Sequence, residues 1–175
     1  MSAIENLPTT TAGALAFFDE CAATSTEEML GNWRGTGMHT GHPMDGLLEA
    51  TGWHGKRFDS VDDVFPLIFK DRGGFFSVNP AFLPLKLASK TSHDFRQGPI
   101  VQKARPMLRA LSTSRPKARL RTVEYRGVET ATMIYDALPI NDHFRTIDAN
   151  TRIGAMDFRG SEEPFFFLLH RESGD

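Results

Sequence analysis

The chain has almost no cysteine: Cys21 stands alone among 175 residues, so no intramolecular disulfide forms and no thiolate set exists for a structural metal. Cys21 itself reads as a small apolar residue on a helix face. Tyrosine and tryptophan are also scarce, two of each against 14 phenylalanines. That bias supplies large apolar area without a polar tip, which suits a thick core or the lining of an apolar cavity. No apolar run approaches bilayer length; the longest late in the chain is Phe165 to Leu169. Met1 to Thr11 lacks a basic stretch followed by an apolar one, so no signal peptide is read and a cytoplasmic location is expected. A net charge of -2 gives no electrostatic reason for a nucleic-acid partner. There is no phosphate-cradling glycine loop, dinucleotide fingerprint or nucleophile elbow. These absences argue against the common nucleotide-dependent enzymes, and no cofactor is expected.

What is present is ordinary globular material, 40% hydrophobic and 24% charged. The length suits one domain over residues 1–175, able to bury roughly 70% of its unfolded surface. It divides into an N-terminal helical arm (1–30), a central part (31–110) and a C-terminal meander (111–175). From Thr11, Leu15, Phe18 and Ala22 form a helical stripe. Ser25 and Glu28 have capping-box spacing, and Gly31 supplies a stop. Strands are expected over Asn32–Thr40 and Trp53–Phe58, with a helical turn over Asp45–Ala50 between them. Ser60-Val61-Asp62-Asp63 reads as a cap opening a short helix limited by Pro66. Ser89 to Pro116 carries three prolines and no sustained period, an irregular stretch. After it come five alternating strands joined by short turns. In Val128–Asp136, Val128, Thr130, Thr132 and Ile134 share one face, and Ala131, Met133 and Tyr135 the other. Such a meander avoids exposed edges by curling into a barrel.

The segment Gly31-Asn32-Trp33-Arg34-Gly35 resembles the motif that names the GXWXG protein family. The likeness continues through Thr40-Gly41-His42-Pro43 and Trp53-His54-Gly55-Lys56-Arg57-Phe58. Tyr125-Arg126-Gly127, Ala131 to Asp136, Pro139 to Arg145 and Gly154 to Asp157 resemble the companion C-terminal domain of unknown function. This resemblance brings no established activity. A Gly-x-Trp on the first strand after a helix is also similar to lipocalin and related calycin barrels. That likeness implies Trp33 as a plug at one barrel end, covered through a cation–π contact by a basic side chain, with Arg145 or Arg159 as candidates.

Chemistry concentrates in Asp142-His143-Phe144-Arg145-Thr146-Ile147-Asp148, where period two splits Asp142 and Phe144 from His143 and Arg145. Whichever face turns inward carries ionisable groups that must pair with each other or bind something. Arg145 or His143 is a candidate contact for a ligand's polar group, the alternative being an internal salt-bridge network. Tyr135 is a candidate hydrogen-bond donor to a carbonyl, or a rim residue. Asp157 is placed to converge with Asp142 and Arg145 across adjacent strands, and two carboxylates meeting there would raise one pKa and provide a general acid. His42, in a tight Gly-His-Pro turn, is either an acid–base group at a barrel mouth or a structural cap. His39 and His42 lie three apart, but the segment is not helical and no second pair follows, so no metal is expected. Lys56 is an inward candidate for a carboxylate or phosphate head group.

The reading is therefore a mainly β, calycin-like antiparallel barrel preceded by one or two short helices. Its expected function is binding a small, largely apolar molecule with a polar or acidic head. Arg145, Lys56, His42, Trp33, Trp53 and Phe144 are the contact residues. The alternative is a cofactor-independent lyase, isomerase or cyclase using His143, Asp142, Tyr135 and Asp157. No membrane span is expected, and a homodimer is left open.

Overall fold

The computed structural model describes residues 6–82 and 107–173. Most of the irregular stretch beginning at Ser89 lies outside the described residues. In chain order the elements are α1 (Thr11–Glu20), β1 (Ala22–Ala23), α2 (Thr26–Met29), β2 (Gly31–Gly37), α3 (Leu47–Thr51), β3 (Trp53–Phe58), β4 (Val64–Asp71), β5 (Gly74–Ser77), β6 (Ala118–Tyr125), β7 (Val128–Tyr135), β8 (Ile140–Asp148), β9 (Thr151–Phe158) and β10 (Phe165–Arg171). A short 3₁₀ turn, Pro80–Phe82, follows β5.

Eight of the strands close a barrel. Around it run β2, β3, β4, β6, β7, β8, β9 and β10, each antiparallel to the next, and β10 pairs back onto β2. Neighbours around the ring are thus neighbours in sequence, apart from β5, which forms a hairpin with β4 outside the ring. This is the up-and-down, calycin-like closure. Its weakest seam is β4 to β6, joined through the single register pair Val64–Ala118.

Period two sorts the side chains. On β7, Ala131, Met133 and Tyr135 face the lumen, while Thr130 and Thr132 face out. On β8, Ile140 and Phe144 join the interior and His143 stacks outside on Tyr125. The continuous apolar run of β10 follows from burial on both faces. Phe165, Phe167 and Leu169 enter the lumen, and Phe166 and Leu168 join an outer cluster with Ala14 and Phe18 of α1. Thr10 caps α1 by accepting from Gly13 N at 3.1 Å. Burying Phe18 and Phe166 contributes about 1.5–3 kcal/mol each, which holds α1 against the wall.

Local expectations met three corrections. Ala22 opens β1 and is exposed, because α1 ends at Glu20 and its buried stripe runs through Ala14 and Phe18. Ser60 caps no helix: its Oγ accepts from Asp62 N and Asp63 N in a turn leading straight into β4. Pro66 sits inside that strand, where register shifts between β3 and β4 accommodate a residue without an N–H. The Ser25–Glu28 capping box is formed as expected.

Candidate functional site

The two barrel ends are built differently. At the end where β2 begins, Trp33 is fully buried and its Nε1 donates to Met29 O at 2.7 Å. Arg171 lies over its ring at 4.3 Å and Arg152 at 5.3 Å. The expected basic cover therefore exists and comes from the last two strands, but it is neither of the arginines named from sequence. Arg159 is exposed beyond β9, and Arg145 lies over Phe18 on the outer wall.

At the opposite end a cavity of about 60 Å³ is lined by Met44, Leu47, Leu48, Trp53, Lys56, Leu67, Tyr135, Ile140, Asp142, Met156, Phe165 and Phe167. Within this apolar lining Lys56 Nζ stands 2.8 Å from Asp142 Oδ2, with both side chains almost wholly buried. The ammonium also donates to Pro66 O at 3.3 Å and to the Tyr135 hydroxyl at 3.5 Å. It sits 5.0 Å from the Phe167 ring, 5.4 Å from Trp53 and 5.7 Å from Tyr135. A carboxylate and three aromatic rings thus replace the water that this cation has lost. Burial pushes the Asp142 carboxyl above the ordinary range, against the opposing pull of Lys56. The Tyr135 hydroxyl is pushed well above the usual phenol range, first by burial and then by the Asp142 charge.

The β3–β4 register explains how Lys56 reaches the lumen. From Trp53 to Gly55 the chain advances two residues while β4 moves one, from Phe69 to Ile68; from Gly55 to Arg57 it advances two while β4 moves three, to Phe65. These shifts let Trp53, Lys56 and Phe58 all be buried, which strict alternation forbids for the first two. Gly55 makes the distortion feasible, since a Cβ there would stand 1.9 Å from Trp33 O.

Other named residues are elsewhere. His143 stacks on Tyr125 with ring centroids 3.8 Å apart, and its Nδ1 is 2.9 Å from Thr132 Oγ1. Burial, then the neighbouring Arg145, lowers its pKa to about 4. Arg145 donates to Cys21 O at 3.3 Å and Tyr125 O at 3.4 Å. Both residues lie on the outer wall, so neither meets Asp142 across the lumen. Asp157 is exposed and pairs in register with Asn141, on the face opposite to Asp142; the expected convergence of two carboxylates does not occur because odd positions of β8 and β9 point outward here. Phe144 packs deeper, edge-on to Phe58 and Phe167.

His42 is buried and structural in its contacts: Nδ1 accepts from Met44 N at 3.0 Å, Nε2 lies 3.4 Å from Ser161 Oγ, and the ring packs 5.4 Å from Phe165. It fastens the segment before α3 to the turn between β9 and β10. Asp45 tightens the same segment by accepting from Thr40 N and Gly41 N, each at 2.8 Å. His39 is exposed and faces Glu49 at 3.9 Å. Among the described residues no three His, Cys, Asp or Glu side chains gather as a metal site, and no helix is long and apolar enough to cross a membrane.

A larger groove of about 810 Å³ runs outside the barrel past His54, Arg57, Phe65, Phe75 and Ser112 to Ser114. It is open, and its charged groups are paired, His54 with Glu172 at 2.9 Å and Arg57 with Asp59 at 3.0 Å. The lumen, where an ion pair is buried beside an apolar cavity, is the stronger candidate.

Comparison with known proteins agrees with this architecture. The model for GXWXG proteins matches residues 16–74, and that for a domain of unknown function (DUF4334) matches residues 116–171. A crystal structure of a protein from Thermomonospora curvata is similar at 31% identity and a TM-score of 0.68, over 93% of this chain and 87% of that one. The chain belongs to the GXWXG family. No curated protein matches it. In this GXWXG protein the two matched segments build one ring: the first supplies β2 to β4, the second β6 to β10, and neither closes alone. The motif has a physical reason as well. Trp33 is the plug, and a Cβ on Gly35 would stand 2.0 Å from the ring of Trp53, the aromatic that carries on into the cavity.

Sequence reasoning found Lys56, Asp142, Tyr135 and Trp53 but not that Lys56 and Asp142 pair. It missed Met44, Leu47, Leu48, Leu67 and Met156. The signal for two of these, Leu47 and Leu48, was the expected helical turn between the first two strands, which closes this end.

Proposed function

We propose that the barrel binds a small, largely apolar molecule in its lumen, with the polar head at Lys56, Asp142 and Tyr135. The observation that carries this reading is the buried Lys56–Asp142 pair at 2.8 Å beside an apolar cavity. Replacing such a pair by apolar side chains is often neutral or stabilising by about 1–4 kcal/mol, so stability alone gives little reason for it. Met44, Leu47 and Leu48 line the apolar part, and the unbranched Met44 side chain can adapt to a longer tail.

Native mass spectrometry of the purified protein tests the reading, followed by a thermal-shift screen of small apolar compounds. A retained or stabilising species that Lys56→Met/Asp142→Leu no longer holds is expected. Unchanged retention by that double variant contradicts a head at this pair.

A second reading, cofactor-independent acid–base catalysis, draws on one observation. The Tyr135 hydroxyl and the Asp142 carboxyl both contact Lys56 Nζ, which gives a donor and a base side by side. Exchange of a bound carbonyl compound's α-protons in D₂O, lost in Tyr135→Phe, would favour it.

A further inference from the structure

The lining of the lumen cavity restricts the chemistry of the head, and this inference rests on the lumen-binding reading. Lys56 and Asp142 carry no net charge together, whichever of them holds the proton. Among the described residues no arginine lines the cavity and Lys56 is its sole basic side chain, already directed to Asp142, Pro66 O and Tyr135. An anionic head would therefore meet a cation already neutralised and a carboxyl group beside it. A cationic head would compete with Lys56 for the same carboxylate.

What remains unmet is polar but uncharged in character. Asp142 Oδ1 is a buried acceptor with no hydrogen-bond donor among the described residues. Trp53 Nε1 is a buried donor with no acceptor among them. The Tyr135 hydroxyl accepts from Lys56, which leaves its proton available. Buried polar atoms left unpaired cost about 1–3 kcal/mol each, so a head that supplies both a donor and an acceptor gains most here.

We infer that the head group is an uncharged hydroxyl: it donates to Asp142 Oδ1 and accepts from the Tyr135 hydroxyl or Trp53 Nε1, with the apolar remainder among Met44, Leu47, Leu48 and Leu67. The ligand class is an aliphatic or alicyclic alcohol. A fatty acid, a phosphate ester and an amine are disfavoured by the same geometry. The cavity volume of about 60 Å³ takes the head and the first carbons, and a longer tail has to displace Met44, Leu47 or Leu48.

Isothermal titration with a matched set (1-hexanol, hexanoate and hexylamine at pH 7.5) tests this on the unmodified protein. Hexanol is expected to bind at least about tenfold more tightly than either ion, the discrimination a site gains from meeting otherwise unpaired polar groups. Asp142→Asn leaves the Lys56 charge unopposed and is expected to reverse the preference toward hexanoate. Should that variant fail to fold, Tyr135→Phe keeps the ring and removes the hydroxyl; hexanol is then expected to weaken about fivefold to tenfold, with hexanoate unaffected. Hexanoate or hexylamine binding as tightly as hexanol overturns the hydroxyl inference while the lumen reading stands. No binding by any of the three, with no stabilising compound in the wider screen, overturns the lumen reading itself.

Discussion

Strand β8 buries ionisable side chains on both faces, and the two faces treat them differently. Outside, His143 and Arg145 are sandwiched under α1 between Phe18, Tyr125 and Thr132; they reach backbone carbonyls and a threonine, while His143 Nε2 and Arg145 Nε have no hydrogen-bond partner among the described residues. Inside, Asp142 is paired with Lys56 and keeps one oxygen unmet beside a cavity. Buried charge by itself thus says little about ligand binding. The adjoining cavity, lined by Lys56 and Asp142, is what sets the inner face apart.

The largest effect should separate pair from partner. Asp142→Leu alone strands the Lys56 charge in the lumen and is expected to cost about 3–5 kcal/mol in urea denaturation. Adding Lys56→Met should recover most of that loss or exceed the wild type. If the double variant stays as unstable as the single one, the pair is a structural necessity, and the contrast between the two faces of β8 fails.

The outer face makes a pH prediction. His143 titrates near 6.5 when unfolded and at about 4 in the fold. As pH falls, the unfolded chain takes up the proton first, so stability is full above about pH 6.5 and is lost progressively toward pH 4. Between pH 7.5 and pH 4.5 this contributes about 2–3 kcal/mol of destabilisation. His143→Phe, which preserves the stack on Tyr125, should lose that much less across the interval. An unchanged pH slope would mean that His143 is not held neutral by its surroundings.

A smaller effect sharpens the comparison. Arg145→Met leaves the carbonyls of Cys21 and Tyr125 without their donor and should cost about 1–3 kcal/mol. Alcohol affinity should not change, because the guanidinium is on the outer wall. A loss of affinity beyond twofold would place Arg145 in the binding machinery after all.

How far the sequence carried follows from which signals are local. Alternation on β7 and β8 was readable because each strand buries one face against the lumen, and the capping box at Ser25 because it needs only three residues. The up-and-down closure was inferred from short turns between consecutive strands, and the ring has that order. The direction in which β8 faces was not readable, since Asp142/Phe144 and His143/Arg145 are equally mixed in polarity. That ambiguity led to Arg145, His143 and Asp157 being grouped with Asp142, from which the barrel wall separates them. Lys56 reaches the lumen through register shifts against β4 that no periodicity announces. The basic cover of Trp33 was expected in kind but not in identity, because Arg152 and Arg171 lie near the ends of their strands, where register decides who reaches the plug.

The methionines offer the most direct test of lumen binding. Of the chain's seven methionines Met44 and Met156 line the cavity; Met29, Met38 and Met107 do not and serve as references, and Met133 packs within the same interior. With methyl-labelled methionine and 1-hexanol as titrant, NMR should show saturable shifts at Met44 and Met156 and leave Met29, Met38 and Met107 in place. Uniform small shifts, or a saturable shift confined to the methionines away from the cavity, would contradict a ligand seated beside Lys56 and Asp142.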